Sequence, residues 1–154
     1  MKSIKYKTNS KDLKIAVIIT KFNELISNML LKGCIETLKN KGKINKKNIS
    51  IIKIPGAYEI PLTAEIISLK MKYNAIIVLG AIIKGKTRHH NFIENSLSYG
   101  ISKVSLKNKI PITLGILMTK NINQTLERCG IKINNKGSEA AEAALEMINI
   151  IKNI

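Results

Sequence analysis

A chain of 154 residues with 45% hydrophobic side chains has the size of one domain with a sizeable core and is too apolar for an unfolded tail. The net charge is +16, from 26 Lys plus Arg against 10 Asp plus Glu, but the lysines are scattered, Arg88 and Arg128 are the only arginines and aromatics make up 4%. That pattern reads as a solvated lysine surface that attracts anions, not as a base-stacking nucleic-acid face. No apolar run approaches the ~20 residues that span a bilayer. The basic start, Met1 to Lys7, has no apolar stretch behind it of the kind a signal peptide carries. Cys34 and Cys129 lack ligand spacing and read as buried free thiols, in keeping with a cytoplasmic protein that binds neither nucleic acid nor membrane.

Apolar runs alternate with helix-period segments along the whole chain. Leu13 to Thr20 predicts a buried strand. Asn23 is placed to cap a helix from Glu24 to Lys41, with Ile26, Leu30, Gly33 and Leu38 on one face and Gly42 after it. Ile49 to Ile54 predicts a second strand. Pro61 suits the first turn of a helix running to Tyr73, with Ile66, Leu69 and Tyr73 on its inner face and Asn74 at its end. Ala75 to Ile83 predicts a third strand, and Ile93, Leu97, Ile101 and Val104 form the stripe of a helix starting at Phe92. Pro111 introduces a fourth strand to Met118. Asn121 or Thr119 caps a short helix ending at Gly130. A last helix, Lys136 to Ile151, carries Ala140, Ala144, Leu145, Ile148 and Ile151 inward.

Continuous apolar strands joined by helical crossovers predict a parallel sheet covered on both faces. The fold class is therefore α/β, a single three-layer domain over residues 1–154. It has a four-stranded parallel open sheet flanked by helices, and residues 1–12 form a flexible N-terminal arm. In such folds ligands sit beyond the carboxyl ends of the strands. The polar and unusual residues fall there: Phe22 and Asn23 after the first strand, Pro55 to Pro61 after the second, Lys84 to Asn91 after the third, and Thr119 to Asn121 after the fourth.

Gly80 to Thr87, Gly-Ala-Ile-Ile-Lys-Gly-Lys-Thr, fits the phosphate-loop pattern of nucleotide triphosphatases. Three features oppose that nucleotide-binding reading. The only aspartate, Asp12, precedes the first strand, so no strand end offers a carboxylate for magnesium. Ala81, Ile82 and Ile83 look like a continuing strand. Arg88 to Asn91 are expected to separate the motif from its helix, whereas a true phosphate loop enters the helix directly.

The ordered set Lys21-Phe22-Asn23, Ile54 to Pro61, Leu79 to Gly85 with Thr87 and His89, Asn121, Glu127 to Gly130 and Asn135-Lys136-Gly137 resembles the lumazine synthases of riboflavin biosynthesis, from about Ile15 to Ile150. The resemblance implies a flavodoxin-like fold. It also implies condensation of 5-amino-6-(D-ribitylamino)uracil with 3,4-dihydroxy-2-butanone 4-phosphate to 6,7-dimethyl-8-ribityllumazine, releasing phosphate and water, with no metal or organic cofactor. A non-catalytic, flavin-binding shell protein of the same fold is the other reading it allows.

By that resemblance His89 is the proton-transfer group, since an imidazole titrates near neutrality, and His90 serves packing. Phe22 stacks on the pyrimidine, and Glu59 accepts from ribityl hydroxyls. Ala57, Tyr58, Ala81, Ile82 and Ile83 hold the ligand through the main chain. Lys86, Thr87 and Arg128 bind the phosphate, supported by Lys136 and Glu139. Leu114 stands where the family usually has Phe, Asn91 replaces an acidic residue, and Lys86 adds a charge. The resemblance further implies a homo-oligomer in which Leu114 and Arg128 reach the pocket of a neighbouring subunit. The assembly is a pentamer, and the short segment Gly130 to Gly137 points to twelve pentamers closing into a 60-mer icosahedral shell. Riboflavin synthase is a candidate partner.

Overall fold

The computed structural model describes residues 12–70, 72–131 and 135–154; the expected N-terminal arm, save Asp12, lies outside them. Four strands, β1 (Ile15–Thr20), β2 (Ile49–Ile54), β3 (Ala75–Ile83) and β4 (Ile112–Thr119), form one sheet in the order β2-β1-β3-β4. All three pairings are parallel. Among the described residues five α-helices accompany them: α1 (Glu24–Asn40), α2 (Ile60–Leu69), α3 (His89–Asn108), the single-turn α4 (Ile122–Leu126) and α5 (Lys136–Asn153).

Strand alternation divides the core in two. Ile15, Val17, Ile77 and Leu79 face one side and pack with Leu30, Leu38, Ala144 and Leu145 of α1 and α5. Ala16, Ile18, Ile76 and Val78 face the other and meet Ile60, Ala64, Leu97 and Ile101 of α2 and α3. The central strands β1 and β3 are buried on both faces, which explains their unbroken apolar runs. This is the three-layer α/β architecture read from the sequence.

Several elements depart from the sequence reading. Asn23 does not cap α1 through its side chain; it adopts a left-handed conformation (φ 57°) that turns the chain into the helix, a geometry asparagine tolerates better than most residues. Gly42 does not supply a left-handed helix end, since Lys43 has the positive φ; Gly42 instead makes room for the Leu38 carbonyl and the Leu145 side chain. Helix α2 stops at Leu69, and its inner face is Ile60, Ala64, Ile67 and Ser68, while Ile66 and Leu69 are exposed. Asn74 does not end that helix; its side chain accepts from Lys14 N at 2.8 Å and so ties the starts of β1 and β3 together. Helix α3 begins at His89, not Phe92, so Arg88 to Asn91 do not form a spacer. Asn121, not Thr119, caps α4, accepting from Gln124 N at 3.0 Å. Ile151 at the end of α5 is exposed. Both thiols are buried and free, and burial pushes Cys34 up to about 12.

Two contacts set the helix layers. Asn135 accepts from Gly137 N (2.8 Å) and Ser138 N (3.2 Å) and donates to the Met29 (2.9 Å) and Cys129 (3.0 Å) carbonyls, so one amide caps α5 and fastens it to α1 and the α4 exit. A Cβ at Gly137 would lie far inside van der Waals distance of the Leu30 carbonyl. Gly137→Ala is expected to force α1 and α5 apart and to destabilise the fold by about 2 kcal/mol, read as a shift of the denaturation midpoint.

On the opposite layer Glu65 of α2 accepts from Lys107 Nζ (2.5 Å) and Asn108 Nδ2 (2.5 Å) of α3. The Lys107 hydrogen bond, then that of Asn108, hold its carboxyl below the usual glutamate range. A carboxyl with a lower pKa folded than unfolded stabilises above its unfolded pKa, and that stability fades as pH falls through the folded value. Below the ordinary glutamate range, thermal midpoints of the parent should therefore fall more steeply with acidification than those of Glu65→Gln.

Candidate active site

Strand order places the site. The chain leaves β1 for β2 on one side and then returns to β3 on the other, so the loops after β1 and β3 diverge and leave a crevice at the carboxyl edge. A cavity of about 420 Å3 occupies it. From the β1 end come Thr20 and Phe22, and from the β2 loop Pro55, Gly56, Ala57, Tyr58 and Glu59. From β3 and its exit come Ala81, Ile82, Ile83, Gly85 and Thr87, and from α3 His89, His90 and Ile93.

The walls are held by main-chain bonds. Lys21 N donates to Ile54 O (2.8 Å) and Phe22 N to Pro55 O (3.1 Å), joining the first two loops. The Phe22 ring stands 69% exposed at the edge of the cavity, without a ring partner among the described residues. Glu59 Oε2 accepts from Gly56 N at 2.9 Å, which shapes the short turn Ala57–Glu59 and leaves Oε1 for other donors. Pro61 lies within the first turn of α2, where its missing N–H costs nothing. Tyr58 stacks on Phe92 of α3 with centroids 5.8 Å apart and planes at 21°, clamping the β2 loop to the start of α3.

The β3 exit ends in the N-terminus of α3, a helix of 20 residues. Thr87 precedes that terminus and His89 is its first residue, so an anion at Thr87 would meet unpaired N–H groups and the positive end of the helix dipole. Both His89 and Thr87 are exposed to solvent. His90, expected only to pack, also lines the cavity, and its Nδ1 lies 3.0 Å from the Thr87 carbonyl. A carbonyl only accepts, so Nδ1 carries the proton.

Nine of the residues singled out in the sequence thus surround one cavity: Phe22, Ala57, Tyr58, Glu59, Ala81, Ile82, Ile83, Thr87 and His89. The others do not line it. Lys86 is exposed on the same loop, and Leu114 and Arg128 sit on the β4 side of the molecule. Lys136 and Glu139 form a solvated pair (2.5 Å) on the first turn of α5. Thr20 is a lining residue that the sequence did not mark, and His90, assigned to packing, lines the cavity as well. Thr20 was hidden as the last letter of an apolar strand.

The phosphate-loop match dissolves in this geometry. Gly80 to Ile83 are strand residues in register with Ile116 to Thr119. They pair with β4 along one edge and stay extended, so they do not curl around a triphosphate, while pairing with β1 stops at Leu79 and leaves their other edge open to the crevice. The model of the 6,7-dimethyl-8-ribityllumazine synthase family matches residues 12–152.

The chain belongs to that family. Relatives bearing the family name include one from Blochmanniella floridana, 55% identical over 92% of this chain and 89% of the relative. A second, from Buchnera aphidicola subsp. Baizongia pistaciae, is 52% identical over 98% and 96%. A third, from Wigglesworthia glossinidia brevipalpis, is 47% identical over the whole of both chains. The activity is the family's, a transferase of riboflavin biosynthesis that forms 6,7-dimethyl-8-ribityllumazine. Gly85 and Thr87, from the Gly-Lys-Thr end of the false motif, border the cavity.

Proposed function

We propose that the β1–β3 crevice is where 5-amino-6-(D-ribitylamino)uracil and 3,4-dihydroxy-2-butanone 4-phosphate condense. The observation that carries this reading is the convergence of an aromatic face, a carboxylate, a helix N-terminus and an imidazole on one cavity: Phe22, Glu59, Thr87 and His89. The pyrimidine lies on Phe22, and its ribityl hydroxyls donate to Glu59. Main-chain groups of Ala57, Tyr58, Ala81, Ile82 and Ile83 fix the heterocycle, a role open to apolar side chains. The phosphate rests at Thr87 and the start of α3, with Lys86 adding charge.

The pyrimidine amine is itself the nucleophile, so no covalent enzyme intermediate is needed. The amine adds to the ketone and loses water to give an imine. Loss of a proton and of phosphate, then ring closure with loss of a second water, completes the product. Each step moves a proton, and His89, at the phosphate end of the cavity, transfers it. Orientation of the two substrates supplies the rest.

Arg128 and Leu114 take part from a neighbouring subunit, with Lys136 and Glu139 in support. Large apolar side chains left exposed on α2 (Leu62, Ile66, Leu69) and on β4 (Leu114, Met118) favour such an assembly. We assign it as a pentamer within an icosahedral shell, in the cytoplasm, with riboflavin synthase as a partner. No helix among the described residues is long and apolar enough to cross a membrane. Incubation with both substrates should generate the lumazine chromophore well above the uncatalysed rate, while sedimentation of the native particle reports the assembly. Substrate-analogue binding without turnover would instead identify a flavin-binding shell protein.

A further inference from the structure

Beneath the cavity lies a pair of hydroxyls to which the roles above give no task. Thr20, the last residue of β1, is 3% exposed and lines the cavity; Ser27, in the first turn of α1, is fully buried. Their Oγ atoms are 3.2 Å apart, and Thr20 Oγ1 donates to the Phe22 carbonyl at 3.4 Å. Each hydroxyl has one proton. With that of Thr20 directed at the carbonyl, Ser27 must donate to Thr20. The chain of bonds therefore runs one way, from Ser27 through Thr20 to the main chain of Phe22.

The same turn is held elsewhere by backbone alone. Ser27 N donates to Asn23 O at 3.1 Å, and Lys21 N and Phe22 N reach the β2 loop. Between these anchors Asn23 takes its left-handed conformation, which orients the turn. The Phe22 ring is mostly exposed, so neighbouring side chains do not fix its place. Its position is inherited from its own backbone, and Thr20 is the side chain that grips the carbonyl of that residue. The sheet makes space for this hydroxyl: a Cβ at Gly80 would lie 2.5 Å from Thr20 Oγ1. Gly80, the first glycine of the false phosphate-loop match, is thus the seat of Thr20.

We propose that Thr20 and Ser27 are positioning residues that set the angle at which Phe22 meets the pyrimidine. This rests on the reading of Phe22 as the stacking platform. The pair acts on one substrate only, because the phosphate end of the cavity is built by a different loop. Removing it should therefore separate the two Michaelis constants, which a general loss of stability would not do.

The test is steady-state kinetics on Thr20→Val, Thr20→Ser, Ser27→Ala, Phe22→Ala and the Thr20→Val/Phe22→Ala double variant, with thermal midpoints alongside. Thr20→Val keeps the shape and removes the donor. It should raise KM for the pyrimidine about fivefold, the scale of one net hydrogen bond, while KM for the phosphorylated ketone stays within about twofold. Thr20→Ser should restore the parent value, Ser27→Ala should reproduce the effect in weaker form, and Thr20→Val should add nothing once Phe22 is gone. A pyrimidine KM unchanged in Thr20→Val and Ser27→Ala, with Phe22→Ala still raising it, overturns the positioning role alone. Both Michaelis constants rising together with a falling midpoint also overturns it, in favour of plain structure. An unchanged KM in Phe22→Ala overturns the platform reading and this inference with it. If Thr20→Val does not fold, Ser27→Ala carries the same comparison.

Discussion

His89→Ala should lower kcat about 100-fold or more, with a thermal midpoint close to that of the parent. The two halves of this expectation have separate grounds. His89 is the first residue of α3 and exposed, so its truncation removes no core contact. It also lines the cavity beside Thr87, where the proposed phosphate departs and where protons must be taken from carbon and nitrogen and returned to water. Positioned general acid–base groups contribute about 100- to 10,000-fold in such steps. Orientation by the rest of the pocket remains in the variant, so turnover should persist above background. His90→Ala is the internal control: it removes the bond to the Thr87 carbonyl and should loosen phosphate binding more than it slows the chemical steps. If His89→Ala retains kcat within about threefold, proton transfer belongs to another group or to the substrates themselves.

How far the sequence could be read depended on whether a segment answers to one physical demand or several. Strands β2 and β3 match their apolar runs to the residue, and β1 and β4 within one or two positions. The central pair, β1 and β3, is buried on both faces and therefore apolar up to Thr20 and Gly80 near the carboxyl ends. On α2 the apolar pattern points to the wrong inner face, because Leu62, Ile66 and Leu69 are as apolar as the buried Ile60 and Ile67. Its periodicity is blurred because the outer face is as apolar as the inner one. Helix α3 begins at His89, ahead of its apolar stripe, and Arg88 makes no side-chain cap that would mark that start.

Phe22, Glu59 and His89 fall among the polar and unusual residues at the carboxyl edge of the parallel sheet, but it is the family resemblance that singles them out. The supporting bonds have no such mark. Thr20 with Ser27 and Asn135 with Met29 are pairings of small polar groups brought together by the turn after β1 and by the α1–α5 contact. No local pattern announces them. Nor does anything local separate Arg128 from the residues around its own chain's cavity. A cation near the end of a short helix reads equally as a charge placed against the helix dipole.

That ambiguity is where subunit exchange decides. Arg128 does not line the cavity of its own chain, and the residues that do line it include no Lys or Arg side chain to neutralise a dianion. If the arginine of an adjoining subunit completes the proposed phosphate site, Arg128→Ala should raise KM for the phosphorylated ketone about 100-fold and leave KM for the pyrimidine nearly unchanged, since a bidentate guanidinium–phosphate contact is among the strongest hydrogen-bonded pairs. Each of His89→Ala and Arg128→Ala would then be nearly inactive alone for a different reason. Dissociated, mixed in equal amounts and reassembled, they should regain activity: with random placement about a quarter of the shared sites receive an intact His89 from one chain and an intact Arg128 from the next. A site contained within one chain has no such route, because every chain in the mixture is defective in its own cavity. Mixed particles that stay as inactive as either variant, while reassembled parent protein recovers fully, would place the phosphate anchor within the single chain and remove the reason for an assembly-dependent site.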